Sequence, residues 1–256
     1  MAESKLKIDV RRNAILDYLR AEGKLSVARL SAQLQVTPVT LRNDLAALEQ
    51  DGYLTRTRGG AVLSQRSAGT YAGEEDAESF SRKQALATEA ANLIQDGQTL
   101  FFNSGTTTHH VARALRGKKH LNIVTNSLAV AMELGGFPTF HVLLLGGEID
   151  SHYGFTYGGD AQDQLCKYQA DWAILSVDGV CSKGITTYHP EEAIIDRLMI
   201  GNARQCMVVA TGNKIGNAGF TRICDSDPHL QLITEETCDP EALAQLQQQG
   251  VRITTV

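Results

Sequence analysis

Hydrophobic positions recur at helical spacing in three consecutive segments at the start of the chain. The first segment runs from about residue 8 to Ala21 and ends at Gly23, a residue that favours helix termini. A second helix is expected to begin after Ser26, which we assign as its cap. The third begins at Thr37, whose hydroxyl can accept a backbone N–H of the first turn, and Pro38 suits the first helical position.

The third segment has one apolar face and one polar face. Leu41, Leu45 and Leu48 recur at i, i+4 and i+7 and are predicted to be buried. The opposite face carries side chains that are small or able to hydrogen bond: Val39, Thr40, Arg42, Asn43 and Ala46. Such a face can enter a major groove about 12 Å wide, where Arg recognises guanine and Asn recognises adenine.

A short hairpin is predicted directly after this helix. The segment from Tyr53 to Leu63 alternates apolar, Thr and Arg residues, and Gly59-Gly60 supplies the turn. Three helices followed by such a hairpin predict a winged helix-turn-helix that reads DNA. An ordinary three-helix cap with solvated arginines is the alternative. The predicted DNA-contact residues are Ser26, Thr37, Pro38, Val39, Thr40, Arg42, Asn43, Arg56, Arg58, Gly59 and Gly60.

The pattern changes after a segment rich in Ser, Gly, Ala and acidic residues. We predict a DNA-binding domain over residues 1–63, a linker over 64–79, and an effector-sensing and oligomerisation domain over 80–256. Short apolar runs predict strands at Thr99–Phe102, Asn122–Val124, His141–Leu145, Trp172–Val177, Gln205–Ala210 and Leu230–Ile233. Amphipathic stretches predict helices at Arg82–Ile94, Thr107–Leu115, Leu128–Leu134, Ala161–Lys167, Glu191–Ala203 and Pro240–Gln249. This alternation predicts a doubly wound α/β sheet.

Charge is distributed unevenly along the 256 residues. Residues 1–60 hold ten Lys/Arg against seven Asp/Glu, whereas the remainder holds fourteen against twenty-two, for a total of −5. A basic head on an acidic body fits a DNA-binding domain attached to a sensor. Five scattered cysteines without a C-x-x-C pair indicate reduced thiols in a cytoplasmic protein with no zinc site. We expect no membrane span, metal or cofactor.

Polar and glycine residues follow four of the predicted strands. In open α/β sheets ligands bind beyond the carboxyl ends of the strands, where hydroxyls and backbone N–H groups can surround an oxyanion. The residues concerned are Ser104, Gly105, Thr106, Thr107, Thr108, Thr125, Asn126, Ser127, Gly146, Gly147, Asp178 and Gly179. Each of these groups is also compatible with an ordinary turn, and Ser151–Gly159 with either a lid or a plain loop. Their number favours one polar pocket.

Together these residues resemble the DeoR/GlpR-type transcriptional regulators of bacterial sugar metabolism over nearly the whole chain. The matching stretches are Val36–Leu45, Arg58–Ala61, Ser104–Thr107, Thr125–Ser127, Gly146–Gly147, Asp178–Gly179, Gly184–Thr187, Glu192–Ala193 and Lys214. The resemblance implies a sensor similar to ribose-phosphate isomerases and glucosamine-phosphate deaminases, with their chemistry lost or unused. It implies a repressor released from its operator by a sugar phosphate, with Ser104–Thr108 as the phosphate or hydroxyl loop. Asp178, Glu192 and Lys214 are then expected to reach the ligand.

Departures from the family pattern affect the expected ligand. Asp150 and Asp196 stand where the family usually has Arg and Lys, and Thr211–Lys214 replaces an Asp-Ser-Ser-Lys motif. Because Arg and Lys pair with phosphate, acidic replacements that face the pocket would disfavour a dianion. These replacements therefore favour a ligand with less negative charge than a sugar phosphate, namely a free sugar, a polyol or a cationic amino sugar. Asp150 joins the candidate effector residues.

Two other functions remain as alternatives. One is an active isomerase or deaminase with an N-terminal appendage, since Asp178 and Glu192 could supply carboxylates. The other is an interaction module that uses the helix-turn-helix as a dimer interface. The expected partners are an operator duplex, the effector and further copies of the chain in a homodimer or homotetramer.

Overall fold

A computed structural model of the chain describes residues 11–12, 14–19, 21–50, 53–63, 77–151 and 153–256. Two compact units are present, Met1–Gln65 and Arg66–Val256.

The first unit has the three helices and the hairpin that the sequence predicts. Helix α1 is present at the described positions between residues 11 and 22, and the expected start near residue 8 lies outside the described residues. The other helices are α2 at Val27–Gln33 and α3 at Pro38–Gln50. The strands are β1 at Lys24–Ser26, β2 at Leu54–Thr57 and β3 at Gly60–Leu63, in the antiparallel order β1-β3-β2.

A core of aliphatic side chains holds this unit together. Leu41, Leu45 and Leu48 of α3 are fully or almost fully buried, as are Ile15 and Leu19 of α1. Burying each such side chain contributes about 1.5–3 kcal/mol relative to leaving it exposed. The apolar face predicted for α3 is therefore confirmed, while the three-residue strand β1 was not predicted.

The second unit is built on a seven-stranded parallel sheet, which confirms the α/β expectation. Its order is β15-β14-β12-β9-β4-β5-β6. The strand bounds are β4 Thr99–Phe102, β5 Asn122–Thr125, β6 His141–Leu144, β9 Ala170–Leu175, β12 Ala203–Val209, β14 Leu230–Thr234 and β15 Arg252–Thr255. From β4 the chain proceeds outward to β5 and β6, and then returns to continue in the other direction from β9. The switch point therefore lies between β4 and β9, where doubly wound folds place their ligands.

Helices cover both faces of this sheet. Their bounds are α4 Ala77–Asn92, α5 Thr106–Ala114, α6 Leu128–Leu134, α7 Gly159–Leu165, α8 Pro190–Gly201 and α9 Pro240–Gln248. Leu100 and Phe102 face one hydrophobic core and Phe101 faces the other, as the alternation of a strand requires. Helix α4 begins at Ala77, whereas the sequence predicts a start at Arg82.

Two small antiparallel sheets lie beside the main one. Strands β7 (Glu148–Asp150) and β8 (Phe155–Tyr157) form a hairpin. A three-stranded sheet consists of β10 (Gly179–Cys181), β11 (Gly184–Thr187) and β13 (Thr221–Cys224). Residues 155–157 form strand β8 and Phe155 is buried, so the expectation of a plain loop over residues 151–159 is wrong at these positions. His152 lies outside the described residues.

All five cysteines carry free thiols. Burial raises the pKa of the Cys206 thiol well above its usual range and raises that of Cys224 to about 12. Cys166, which follows α7, is exposed.

Within the described residues, no helix combines the length and apolar character needed to cross a membrane. Among the residues that the structure describes, no group of three or more His, Cys, Asp or Glu side chains is arranged to hold a metal ion.

Candidate functional site

The polar face of α3 is solvent-exposed in the first unit. The Thr37 hydroxyl accepts the Thr40 backbone N–H at 3.1 Å and also lies 2.8 Å from the Thr40 hydroxyl, so Thr37 caps the helix as predicted. Val39 is 63% exposed, and Arg42 and Asn43 are exposed as well. The structure thus brings the predicted base-contacting side chains onto one accessible face opposite the buried leucines.

The hairpin residues predicted to contact DNA differ in whether other residues of the unit already bind their side chains. Arg56 donates its backbone N–H and its guanidinium Nε to the Glu49 carboxylate, which ties β2 to α3. Arg58 is exposed at the turn. Gly60 is required by close packing, since a Cβ there would lie 1.9 Å from the Leu25 carbonyl oxygen. Ser26 precedes α2 as predicted, but its side chain makes no capping hydrogen bond.

A polar cluster occupies the switch point of the second unit. The Asn103 side-chain amide donates to the Ser176 carbonyl at 2.9 Å and to Asp196 Oδ1 at 3.1 Å. The Ser176 backbone N–H donates to Asn103 Oδ1 at 3.0 Å. Asn103 therefore joins the carboxyl ends of β4 and β9 to helix α8.

Four predicted effector residues belong to the same cluster. The Ser104 hydroxyl donates to Glu192 Oε1. The Thr187 hydroxyl lies 3.2 Å from Glu192 Oε2 and 3.0 Å from Asp178 Oδ2. Lys214 Nζ lies 3.7 Å from Asp178 Oδ1. Ser104, Asp178, Glu192 and Lys214, which are far apart in sequence, are thus brought together.

The carboxyl groups of α8 are unusual because they are buried close together. Burial, reinforced by the nearby Asp196, raises the pKa of Glu192 well above its usual value. Burial also raises the pKa of Asp196 to about 8, although the hydrogen bond from Asn103 acts in the opposite direction. Arg197 does not compensate them at close range, since its guanidinium donates to the carbonyls of Arg222 and Ile223. Asp196 is therefore largely protonated below about pH 8, and burial favours the protonated form of Glu192 as well.

The loop from Ser104 to Thr108 is held against β9. Gly105 has φ +155°, and a Cβ there would lie 2.7 Å from the Ser176 Oγ, so this position requires glycine. The Thr108 hydroxyl bonds the carbonyls of Asn103 and Gly105, and Thr106 opens α5 with Thr107 after it. The backbone of this loop and the first turn of α5 form the amino end of a helix, where an anion is favoured.

The remaining predicted effector residues make structural bonds or close contacts elsewhere in the second unit. The Thr125 hydroxyl donates to the Phe102 carbonyl, Ser127 caps α6 by accepting the Val130 N–H, and the Asn126 amide donates to the Thr156 carbonyl. The Gly146 backbone N–H donates to the Gln164 side chain, and Asp150 accepts the Tyr153 backbone N–H. Gly147 and Gly179 lie so close to neighbouring backbone that a Cβ would clash there. The Tyr153 ring lies 4.2 Å from that of His189, which connects the β7–β8 hairpin to the cluster.

Sequence reasoning missed several members of the cluster. Asn103 and His189 are not among the predicted site residues, and Thr187 is named only within the family stretch Gly184–Thr187. The neighbouring Ser104 and the Pro190 that begins α8 were the available signals. A further cavity of about 340 Å³ lies at the opposite, amino edge of the sheet, lined in part by Thr99, Asp171 and Arg204. That cavity contains none of the predicted site residues.

Comparisons with known proteins cover both units. A family model described as the DeoR-like helix-turn-helix domain matches residues 11–67, and one described as the DeoR C terminal sensor domain matches residues 78–236. The HTH-type transcriptional repressor GlcR of Bacillus subtilis is 31% identical over 94% of this chain and 93% of its own length. The lactose phosphotransferase system repressor of Lactococcus lactis is 31% identical over 93% and 95%, respectively. The glycerol-3-phosphate regulon repressor of Escherichia coli is 33% identical over 82% and 84%.

Solved structures match less closely. Ribose 5-phosphate isomerase A from Methanocaldococcus jannaschii is 17% identical with a TM-score of 0.36, over 52% of each chain. A probable sor operon regulator from Shigella flexneri is 12% identical with a TM-score of 0.34, over 58% of this chain and 80% of the other.

Proposed function

Because the chain belongs to the DeoR family of transcriptional regulators, we propose that it represses a carbohydrate-utilisation operon and is released from its operator by a sugar or sugar phosphate. The first unit binds DNA and the second binds the effector, with the division near the predicted linker over residues 64–79. The observation that supports this most directly is the exposed face of α3, which presents Val39, Thr40, Arg42 and Asn43 opposite its buried leucines.

Substitutions on this face and on the hairpin test the DNA-binding half. A side chain that reads a base contributes about 1–3 kcal/mol, so Arg42→Ala should weaken binding to a selected duplex by that amount and relax its specificity at one position. Arg58→Ala should instead lower the dependence of log K on log salt by about one unit on any sequence, as loss of one phosphate contact does. Electrophoretic mobility shifts across a salt series measure both. Unchanged binding in both variants would contradict the assignment.

The effector half rests on the cluster formed by Ser104, Asp178, Glu192 and Lys214. The ligand is a carbohydrate because hydroxyl, amide and carboxyl groups surround one site at the switch point. Its charge is not fixed by these residues: the amino end of α5 favours an anion, whereas Asp178 already pairs with the ammonium of Lys214. Matched pairs of phosphorylated and free sugars, and of amino sugars and their hydroxyl analogues, titrated by calorimetry, identify the class.

A substitution at Lys214 separates effector binding from DNA binding. Lys214→Met should abolish release of DNA by the sugar that binds in the calorimetric panel, because it removes the cation at the cluster, and should leave DNA affinity without ligand unchanged. If the sugar releases the Lys214→Met variant from DNA as readily as it releases the wild type, Lys214 does not contact the effector.

We assign the carboxyl groups of Asp178 and Glu192 to effector binding and propose no catalysis. The relatives named above are repressors, so conversion of the bound sugar is not needed for the role. A coupled assay for aldose–ketose interconversion with the bound sugar should give no turnover, and measurable turnover would support the isomerase alternative.

The regulator is expected to act on DNA as a homodimer or homotetramer in the cytoplasm at the nucleoid. A single DNA-binding unit contacts one half-site, and sequence-specific repression usually requires two such units on two half-sites. Light scattering of the purified chain distinguishes these states from a monomer.

A further inference from the structure

A buried ion pair lies behind the recognition face of α3. Asp44 directly follows the exposed Arg42 and Asn43, yet it is only 3% exposed. The Arg11 guanidinium of α1 donates from Nε to Asp44 Oδ2 and, at 2.9 Å, from Nη2 to Asp44 Oδ1. Arg12 Nε lies 3.7 Å from the same carboxylate. Two adjacent arginines of α1 thus converge on one carboxylate of α3.

This ion pair depends on the orientation of α3 more strongly than the apolar contacts of the helix do. Leu41, Leu45 and Leu48 decide which face of α3 is buried, but apolar contacts are non-directional and set the rotation of the helix only coarsely. A two-bonded guanidinium–carboxylate pair has a planar geometry and accepts only a narrow range of orientations. Because a buried ion pair gains little net stability over apolar side chains of similar size, stability alone does not account for it.

We propose that the Arg11–Asp44 pair is a positioning device that sets the rotation of α3, and thereby the presentation of Arg42 and Asn43 to base edges. The pair contacts no DNA itself and determines operator specificity rather than the stability of the unit. This inference rests on the proposed DNA-binding function of the first unit.

The test compares stability with selectivity in the full-length chain. A duplex is first selected by the wild-type protein from a pool with a random core of about 30 base pairs, enough for two half-sites one turn apart. Selectivity is the ratio of affinities for this duplex and for a scrambled duplex of the same composition. The double variant Arg11→Met/Asp44→Leu removes both charges of the two-bonded pair, while Arg12, whose side chain is 23% exposed, stays in place.

We expect this double variant to unfold at the wild-type temperature or above it, because apolar replacement of a buried pair is neutral or stabilising. Its selectivity should fall about tenfold or more, the scale on which one base contact discriminates. Affinity for the scrambled duplex should be retained, since phosphate contacts dominate non-specific binding. Arg11→Lys should lose part of the selectivity, because an ammonium keeps the charge but not the planar two-bonded geometry.

The control is Arg222→Gln/Asp225→Asn, which removes an exposed Arg–Asp pair of the second unit and should leave selectivity unchanged. Wild-type selectivity in the apolar double variant or in Arg11→Lys overturns the proposal. So does loss of folding in the double variant, which would show that the pair serves stability. If the wild-type protein itself enriches no sequence from the pool, the proposed DNA-binding function fails together with the inference.

Discussion

At the scale of single residues, Asp196 combines full burial with a hydrogen bond to Asn103. Its pKa is raised to about 8 by burial, against about 3.9 for an unperturbed Asp. Between these values the folded state holds a proton that the unfolded state lacks, so the free energy of unfolding falls as pH rises from about 4 to about 8. Above about pH 8, Asp196 is ionised in both states and causes no further change in the free energy of unfolding.

Substitution by an amide tests this pH dependence. Asp196→Asn keeps an acceptor for Asn103 and cannot ionise, so its advantage over the wild type in unfolding temperature should widen between pH 5 and pH 8. The increase should be about 3 °C or more, taking about 2–4 °C per kcal/mol for a chain of this size. Thermal denaturation at pH 5, 6, 7 and 8 measures the difference. Parallel curves for the two proteins would show that Asp196 is ionised when folded.

Gly105 provides a second prediction at this scale. In Gly105→Ala the methyl group would lie 2.7 Å from Ser176 Oγ at a φ of +155°, and strain of this kind costs about 1–3 kcal/mol. We expect that loss of stability together with weaker effector binding, because the loop must shift. Gly117→Ala is the matched control, as its methyl would meet nothing within 4 Å and should change stability by less than about 0.5 kcal/mol. Equal effects in chemical denaturation would contradict the assignment.

At the scale of elements, the two predicted helix caps behave differently. Thr37 accepts the Thr40 N–H, whereas the Ser26 side chain makes no capping bond to α2. Thr37→Ala should therefore cost about 1 kcal/mol of stability. Ser26→Ala should stay within about 0.5 kcal/mol. Denaturant unfolding of the two variants measures the difference, and a larger loss for Ser26→Ala would reverse the assignment.

The elements that the sequence predicted are those with enough residues to show a period. Strands β4, β5, β6, β9, β12 and β14 of the main sheet read as apolar runs, and the predicted bounds differ from the observed ones by at most a few residues. The short strands β1, β7 and β10 have three residues each, too few to establish an alternation. Strand β15 has the sequence Arg-Ile-Thr-Thr, which lacks an apolar run because it lies at an edge of the sheet.

At the scale of the whole molecule, the candidate site was only partly predictable. Strand ends identified Ser104 and Asp178, because the carboxyl edge of a parallel sheet collects them. The partner Asp196 is 93 residues from Asn103, and only the tertiary structure brings their side chains together. The burial that raises the pKa of Glu192 and of Asp196 also depends on packing, which residue types alone do not specify.

Separation of the two units is testable directly. A protein consisting of residues 66–256 contains the whole candidate effector cluster. It should bind the effector with the affinity of the full chain measured without DNA, and it should not retain DNA. Calorimetry and mobility shifts on this fragment check both statements. A fragment that folds but binds no sugar would show that the first unit contributes to the effector site.

The unequal burial of the cysteines has a practical consequence. Thiols that stay protonated react slowly with electrophiles, so Cys206 and Cys224 should resist alkylation in the folded chain, whereas Cys166 is open to a maleimide dye. Cys166 directly follows α7, and α7 packs against the helix that carries Glu192 and Asp196. A fluorophore attached there would report changes near the proposed effector cluster in real time, without an engineered cysteine.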